Sequence, residues 1–341
     1  MKTLPALNIE KVTAALNSRL PQYSGPWKAT KTELGQSNPT FVLSGLDKKL
    51  VLRRKPDGSI LKSAHMVERE YLVMKSLQKT KVPVPNVFYL CVDSSEIGSI
   101  YFVMDYISGV TFPEPHLPNL SREQRARVYD NMNLGLSNLH QINPQSVGLS
   151  DFGRSGNYFE RQLSIWSKQF EMSITTRIVE MDNLQKWLSQ NLPMPPIKNV
   201  LVHGDWRIDN LIFCKKNFSL KAILDWELST LGDPRADLAS QLMQWMMPVG
   251  DEGRGLSGLN RKRLGIPEDK EYIETYSKRV GLNNVPDLRF AIAFSFFKMA
   301  AILQGIKKRA LDGNASNPTK GIAMGKHVKL FAQLALNYLK I

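Results

Sequence analysis

Two short stretches of this chain carry the residue types that phosphoryl transfer requires: His203-Gly-Asp205-Trp-Arg-Ile-Asp-Asn210 and Ile223-Leu-Asp225-Trp-Glu227. Moving a phosphoryl group from a nucleoside triphosphate to a hydroxyl takes one carboxylate that orients the hydroxyl and accepts its proton. It also takes an amide and a second carboxylate that hold Mg²⁺ against the phosphates. Asp205 can fill the first role, and Asn210, five residues later, can fill the second together with Asp225. An isolated His-Gly-Asp is a weak signal, because Gly-Asp pairs are common in turns. The pattern gains force from both carboxylates standing at these separations, each behind a strand-like run, Val200-Leu-Val202 and Ile223-Leu224.

Neighbouring residues have plainer readings. His203 suits a structural part, hydrogen-bonding loop backbone so as to set Asp205. Asp209 solvates the loop, while Asp233 and Asp237 hold backbone and helix starts. Cys91 and Cys214 have no metal-ligating partner at useful spacing and read as buried small hydrophobes. Met243-Gln-Trp-Met-Met247 reads as core. The basic clusters at Lys48 to Lys55, Arg261 to Arg263 and Lys307 to Arg309 read as solvated faces.

The elements that must position these groups are legible in outline. Apolar and β-branched residues at Phe41 to Leu46 and Lys49 to Arg53, with a turn between, predict a β-hairpin. Met66, Val67, Leu72, Val73, Met74 and Leu77 give Ser63 to Leu77 a helical stripe. Pro83 and Pro85 end it and lead into Asn86 to Cys91. Ser99 to Tyr106 is apolar and rich in β-formers, a largely buried strand, and Gly109 close behind it marks a lobe junction at 105–109. Ser121-Arg-Glu-Gln124 is a capping box that opens a helix running to about His140. After Gly156, the residues Tyr158, Arg161, Gln162, Ile165, Trp166 and Gln169 fall on one helical face, which packs on the catalytic loop or meets the acceptor. Pro193, Pro195 and Pro196 close that region. Residues 251–263 read as a loop, and helices near Leu288 to Leu303 and Gly321 to Leu339 complete the chain.

In this order the motifs resemble those of the aminoglycoside phosphotransferase and choline kinase-like superfamily. They are most similar to the branch that occurs as separate bacterial proteins and fused to acyl-CoA dehydrogenases, a branch implicated in phosphorylating hydroxyacyl-CoA. The resemblance runs from about Leu34 to the C-terminal helices and rests on His203 to Asn210, Leu224 to Glu227 and Leu231-Gly-Asp-Pro-Arg-Ala-Asp-Leu238. Asn157-Tyr-Phe-Glu-Arg-Gln162 through Trp166 to Gln169 is similar to a segment of that branch. The Asp205-to-Asn210 interval is that of the protein-kinase H-R-D-x-x-x-x-N loop, and Asp225 stands where the D-F-G aspartate would.

The resemblance implies an α+β, protein kinase-like bilobal fold with a small β-rich nucleotide lobe over 1–106 and a larger, mainly helical catalytic and acceptor lobe over 107–341. It implies Asp205 as catalytic base and Asn210 and Asp225 as metal ligands. Arg53 takes the place of the usual phosphate-binding Lys, against the alternative of a surface cation beside Arg54 and Lys55; Glu70 or Glu68 is its helix partner. Met104 to Ile107 becomes the hinge, with backbone groups of Asp105 and Ile107 at the adenine edge. A glycine-rich phosphate loop is missing, and Gly35-Gln-Ser37-Asn38-Pro39 is the candidate in its place, with Ser37 and Asn38 meeting phosphate. No A-P-E segment follows Asp225, so control by an activation-loop phosphate is not expected. The implied cofactors are ATP, with GTP an open alternative, and Mg²⁺.

Composition bounds the alternatives. The chain has 341 residues, 43% apolar and 22% charged, which supports two packed lobes and excludes disorder or a disulfide framework. Two cysteines and no charged-then-apolar leader fit a reducing, cytoplasmic setting. No uninterrupted apolar run approaches the ~20 residues of a membrane span. Lys and Arg number 45 against 31 Asp and Glu, a net charge of +14 that favours an anionic small-molecule acceptor. The basic clusters lack interleaved aromatics, so nucleic acid is not an expected partner. An aminoglycoside kinase and a nucleotide-binding pseudokinase or regulatory module stay open beside a hydroxyacyl-CoA kinase.

Overall fold

The computed structural model describes residues 7–32, 38–56, 66–154, 156–196, 198–250, 254–313 and 317–340. In chain order the elements are α1 (Ile9–Arg19), β1 (Lys28–Lys31), β2 (Thr40–Ser44), β3 (Lys49–Arg54), α2 (Val67–Leu77), β4 (Val87–Cys91) and β5 (Tyr101–Asp105). There follow α3 (Arg122–His140), α4 (Tyr158–Ser173), α5 (Val179–Gln190), β6 (Val200–Val202), β7 (Leu211–Phe213), β8 (Leu220–Ile223) and β9 (Thr230–Gly232). The remainder is helical: α6 (Arg235–Trp245), α7 (Arg261–Leu264), α8 (Asp269–Val280), α9 (Arg289–Leu311), α10 (Pro318–Met324) and α11 (His327–Leu339). Two compact units result. One takes Met1–Thr111, Val147–Leu149 and Asn210–Ser229, the other Phe112–Ser146, Ser150–Asp209 and Thr230–Ile341. The segment bearing Asn210 and Asp225 therefore packs with the N-terminal residues rather than with the chain on either side of it.

The first unit is built on an antiparallel five-stranded sheet in the order β1-β2-β3-β5-β4. Strand residues alternate between faces, and the register sets Phe41 opposite Leu52 and Leu43 opposite Leu50. Those four, with Tyr101 and Val103, join Val12 and Leu16 of α1 and Leu20 just after it in one buried cluster. The intervening residues of β3, Val51 and Arg53, face α2, whose Tyr71 ring lies 6.2 Å from Phe102. Alternation thus delivers Arg53 to the helix that carries Glu70. The β7–β8 hairpin joins this unit through Phe213, which exchanges backbone hydrogen bonds with Val110 at 2.9 Å. Here Gly109 is needed for space, since a Cβ would run into the Ile212 side chain and the Phe213 carbonyl.

The second unit is helical around a β6–β9 pair. The capping box at Ser121 and Gln124 is present, and α3 ends at His140 as its sequence predicts. α9 is the core helix, with Phe290, Phe294, Phe296 and Phe297 buried and Phe159 of α4 within 5.2 Å of Phe290 and 5.6 Å of Phe294. By length and composition alone α9 could cross a membrane, a run hidden from a search for uninterrupted apolar residues because Lys298 breaks it. Its apolar side chains are spent on packing against other helices.

Several expectations change. The buried stripe of α4 is Phe159, Leu163, Trp166 and Phe170 with Tyr158, whereas Ile165 is 45% exposed. Cys91 is buried, but Cys214 is only half-buried. The 251–263 stretch contains a one-turn helix, α7. The basic clusters are not simply solvated: Lys48 pairs with Asp105 at 2.8 Å, Lys55 with Glu68 at 2.6 Å, and Arg261 with Glu268 and Asp269 at 2.7 Å each. Local sequence pattern announces no separate element at α1, β1, α5, β7, β9 or α8. β1 is nearly all polar and exposed, so it carries no alternation signal.

Candidate functional site

In the first unit the expected residues gather around one guanidinium. Arg53 Nε donates to Glu70 Oε1 at 3.0 Å, Nη1 to Thr40 Oγ1 at 3.3 Å, and Nη2 to Asp225 Oδ1 at 2.8 Å. The Arg53 and Glu70 side chains are only 9% and 2% exposed, which overturns the surface-cation reading. Glu70 is the partner and Glu68, paired with Lys55, is not. Burial works against the charge on Arg53, and the carboxylates of Glu70, Asp225 and Glu227 outweigh it, keeping the guanidinium protonated. Asn38 is fully buried with its side-chain amide donating to Glu70 Oε1 at 2.8 Å, so that side chain braces the ion pair. Ser37 lies outside the described residues.

The β7–β8 ladder aligns Leu211 with Ile223, and just beyond it Leu224 N–H donates to the Asn210 carbonyl at 2.9 Å. Antiparallel pairing thereby sets Asn210 beside the residue that precedes Asp225. Asp225 has φ 64°, a left-handed conformation that Asp tolerates better than most residues and that often marks functional positions. Trp226 behind it is fully buried, its indole N–H donating to the Ile223 carbonyl at 3.0 Å. Carboxylate oxygens of Glu70, Asp225 and Glu227 come within 4.8 Å of one another. Carboxylate and amide oxygens are the hard donors that Mg²⁺ takes, and the Asp225 side chain is 25% exposed, so the residues present fit that ion. At the expected hinge, Asp105 N–H donates to the Asn86 carbonyl at 2.8 Å. Any adenine contact from Asp105 therefore falls to its carbonyl. Met104 is paired within the sheet with Val51 and Val87, and Ile107 lies just past the end of β5.

In the second unit β6 runs into His203, Gly204 and Asp205. Gly204 has φ +83°, which explains the glycine of His-Gly-Asp. Asp237 of α6, fully buried, accepts from His203 N–H at 2.7 Å and Gly204 N–H at 2.8 Å. His140 bridges Asp237 and the Tyr276 hydroxyl, at 3.1 and 2.7 Å. His203 Nδ1 then takes the Asp205 N–H at 3.2 Å. The loop is therefore held from behind, with His203 and Asp237 in the structural parts expected of them. Asp233 likewise accepts from the Arg235 N–H at 2.9 Å at the start of α6. Replacing Asp237 by Ala should cost about 3–5 kcal/mol in denaturant unfolding, because two buried backbone donors and His140 lose their acceptor.

The Asp205 side chain is 20% exposed and pairs with Arg207 at 3.1 Å. Burial pushes its carboxyl up, but Arg207, Lys298 and His203 outweigh that and hold it below the usual carboxylate range. Asp209, expected merely to solvate the loop, pairs with Arg207 at 3.4 Å and Arg254 at 3.2 Å. Arg207 and Lys298 are the residues that the sequence reading missed. Lys298 has a visible signal, a single charge within the apolar run of α9 from Phe290 to Leu303. An ionised carboxylate that keeps some access to solvent, on a loop braced through its backbone, can orient a hydroxyl and take its proton.

The family model described as the phosphotransferase enzyme family matches residues 28–258. A crystal structure of a provisionally assigned aminoglycoside phosphotransferase from Ralstonia eutropha superposes with a TM-score of 0.85 at 37% identity, covering 98% of this chain and 99% of that one. The aminoglycoside phosphotransferase APH(4)-Ia, solved in ternary complex with AMP-PNP and hygromycin B, shares the fold at a TM-score of 0.63 and 13% identity, covering 96% of this chain and 98% of that one. Acyl-CoA dehydrogenase family member 10 of Mus musculus is 42% identical over 316 residues, 92% of this chain but 29% of that relative's length.

Proposed function

The chain belongs to the phosphotransferase enzyme family, with the kinase-like fold of the aminoglycoside kinases, and on that footing we propose that it transfers the γ-phosphate of ATP to an acceptor hydroxyl. The observation that carries this reading is Asp205, partly exposed and paired with Arg207, on a loop fixed by Asp237 and His203. Asp205 would orient the acceptor hydroxyl and take its proton as the hydroxyl oxygen bonds to the γ-phosphorus. The bond from that phosphorus to the β–γ bridging oxygen would break, and ADP would leave. Arg53, held by Glu70, would offer its remaining N–H groups to the phosphates; a guanidinium has five, in a fixed fork. The Asp105 carbonyl and Ile107 would meet the adenine edge. Asn210 and Asp225 would hold Mg²⁺, which when bound supplies charge neutralisation on the phosphates. Most of the rate enhancement would come from positioning and electrostatics rather than covalent chemistry.

The acceptor is proposed to be a hydroxyacyl-CoA-like compound. Support comes from the net charge of +14, which suits an anionic acceptor better than a polycation, and from the kinship with acyl-CoA dehydrogenase family member 10. An aminoglycoside acceptor would need an acidic pocket, and Asp205 is already offset by Arg207 and Lys298. The reading is tested by a phosphotransfer screen pairing ATP and GTP with hydroxyacyl-CoAs, aminoglycosides, choline-like alcohols and sugars. Turnover of hydroxyacyl-CoAs with ATP is expected. Turnover of aminoglycosides alone would replace the acceptor assignment, and nucleotide binding without turnover of any acceptor would favour a regulatory module.

A further inference from the structure

A cavity within the second unit has Asp205 in its wall, and Lys298 stands in the same wall against Met243, Phe294, Met299 and Ile302. Among its described lining residues, Asp205 and Lys298 are the only charged ones. The proton transfer proposed above uses Lys298 only through its charge, which helps keep Asp205 ionised, and not through its N–H donors. Its Nζ donates to the Gly204 carbonyl at 2.6 Å and lies 5.7 Å from the centre of the Trp166 ring. An ammonium has three N–H donors, and Gly204 takes one. Burial outweighs the attraction of Asp205 and Asp237 and holds the ammonium below the usual lysine range. Holding a lysine inside an apolar helix face is costly, and bracing one carbonyl needs no formal charge.

We propose that Lys298 sets acceptor specificity, binding the acyl oxygen of a hydroxylated aliphatic acyl group while Asp205 takes its hydroxyl, and turning away acceptors that carry an ammonium. This rests on Asp205 being the acceptor's base. The cavity holds about 20 Å³, room for one methyl-sized group, and its apolar wall accounts for a short aliphatic end, since such a group gains by leaving water. The two charges in that wall, Asp205 and Lys298, account for the polar part. The lone carboxylate of the cavity is offset by Lys298, so an incoming ammonium meets repulsion with no unspent negative charge to repay its lost hydration. A free carboxylate and a thioester carbonyl present the same acyl oxygen to Lys298.

The test uses 3-hydroxybutyrate, 3-hydroxybutyryl-CoA and 4-amino-2-butanol. Binding to the nucleotide-free protein is measured by calorimetry, and kcat/KM with ATP and Mg²⁺. The wild-type protein should prefer at least one acyl probe over the amino alcohol by about tenfold to a hundredfold, the worth of a hydrogen bond to a charged group. The better acyl probe identifies the free acid or the thioester as source. Lys298→Met should erase the preference and Lys298→Arg retain it, with melting temperatures confirming folded protein; Lys298→Gln substitutes if Lys298→Met does not fold. An equal fall for all three probes in Lys298→Met, leaving the ratio intact, would assign Lys298 to bracing Gly204 alone and overturn the proposal. So would a wild-type protein that binds none of them or prefers the amino alcohol. Asp205→Asn separates the two layers. Full turnover in that variant would sink the base assignment, while the binding ratio would still report on Lys298.

Discussion

Asp205→Asn should lower kcat by about 10²–10⁴-fold, the usual contribution of a general base, while the protein stays folded. Asn keeps the size of the side chain and its hydrogen bond from Arg207, and the loop is braced through the backbone by Asp237 and His203 rather than through the Asp205 carboxylate. A loss confined to kcat, with nucleotide affinity unchanged, is therefore the expected signature. The pH profile carries a second mark. Because nearby cations outweigh burial and hold the Asp205 carboxyl low, the base stays ionised as pH falls through the usual carboxylate range. The acidic limb of kcat/KM should therefore lie below the ordinary carboxylate range. Arg207→Gln removes the first of those cations, so it should move the limb upward. An unmoved limb in that variant would show that another group controls it.

Arg53→Met should destabilise the first unit by about 3–5 kcal/mol in denaturant unfolding, because it strands a buried carboxylate. Glu70 is 2% exposed and would keep only Asn38 as the partner named above. Removing both charges tests this directly. Arg53→Met with Glu70→Met should recover most of the loss, since replacing a whole buried pair by apolar groups of similar volume is often neutral or better. Additive losses in the double variant would show that the ion pair is not what the single change breaks. Arg53→Lys should retain much of the stability, yet a lysine cannot span Glu70 and Asp225 with a planar fork.

What the sequence shows of the fold and the site depends on how local each signal is. Asp205, Asn210 and Asp225 show themselves because one short loop and one hairpin fix their spacing in the chain. The β2–β3 hairpin and the capped α3 follow from local pattern, which is where sequence reasoning is strongest. Arg53 and Glu70 are 17 residues apart on different elements, so spacing could not choose between Glu70 and Glu68. Strand alternation on β3 and the docking of α2 decide it. Lys298 comes from a helix 94 residues after Gly204, and only tertiary packing brings it to the loop. β1, polar and exposed, owes its place to pairing with β2, which no local period announces.

Transfer of a phosphoryl group to an acceptor hydroxyl with Asp205 as base can be followed by ³¹P NMR of the wild-type protein and Asp205→Asn with ATP, Mg²⁺ and a hydroxyacyl-CoA. The wild-type protein should build a phosphomonoester resonance coupled to the carbinol proton, one for each ADP formed, and Asp205→Asn should form it about 10²–10⁴-fold more slowly. ADP and inorganic phosphate appearing without the ester, or the ester forming equally fast in both proteins, would contradict it.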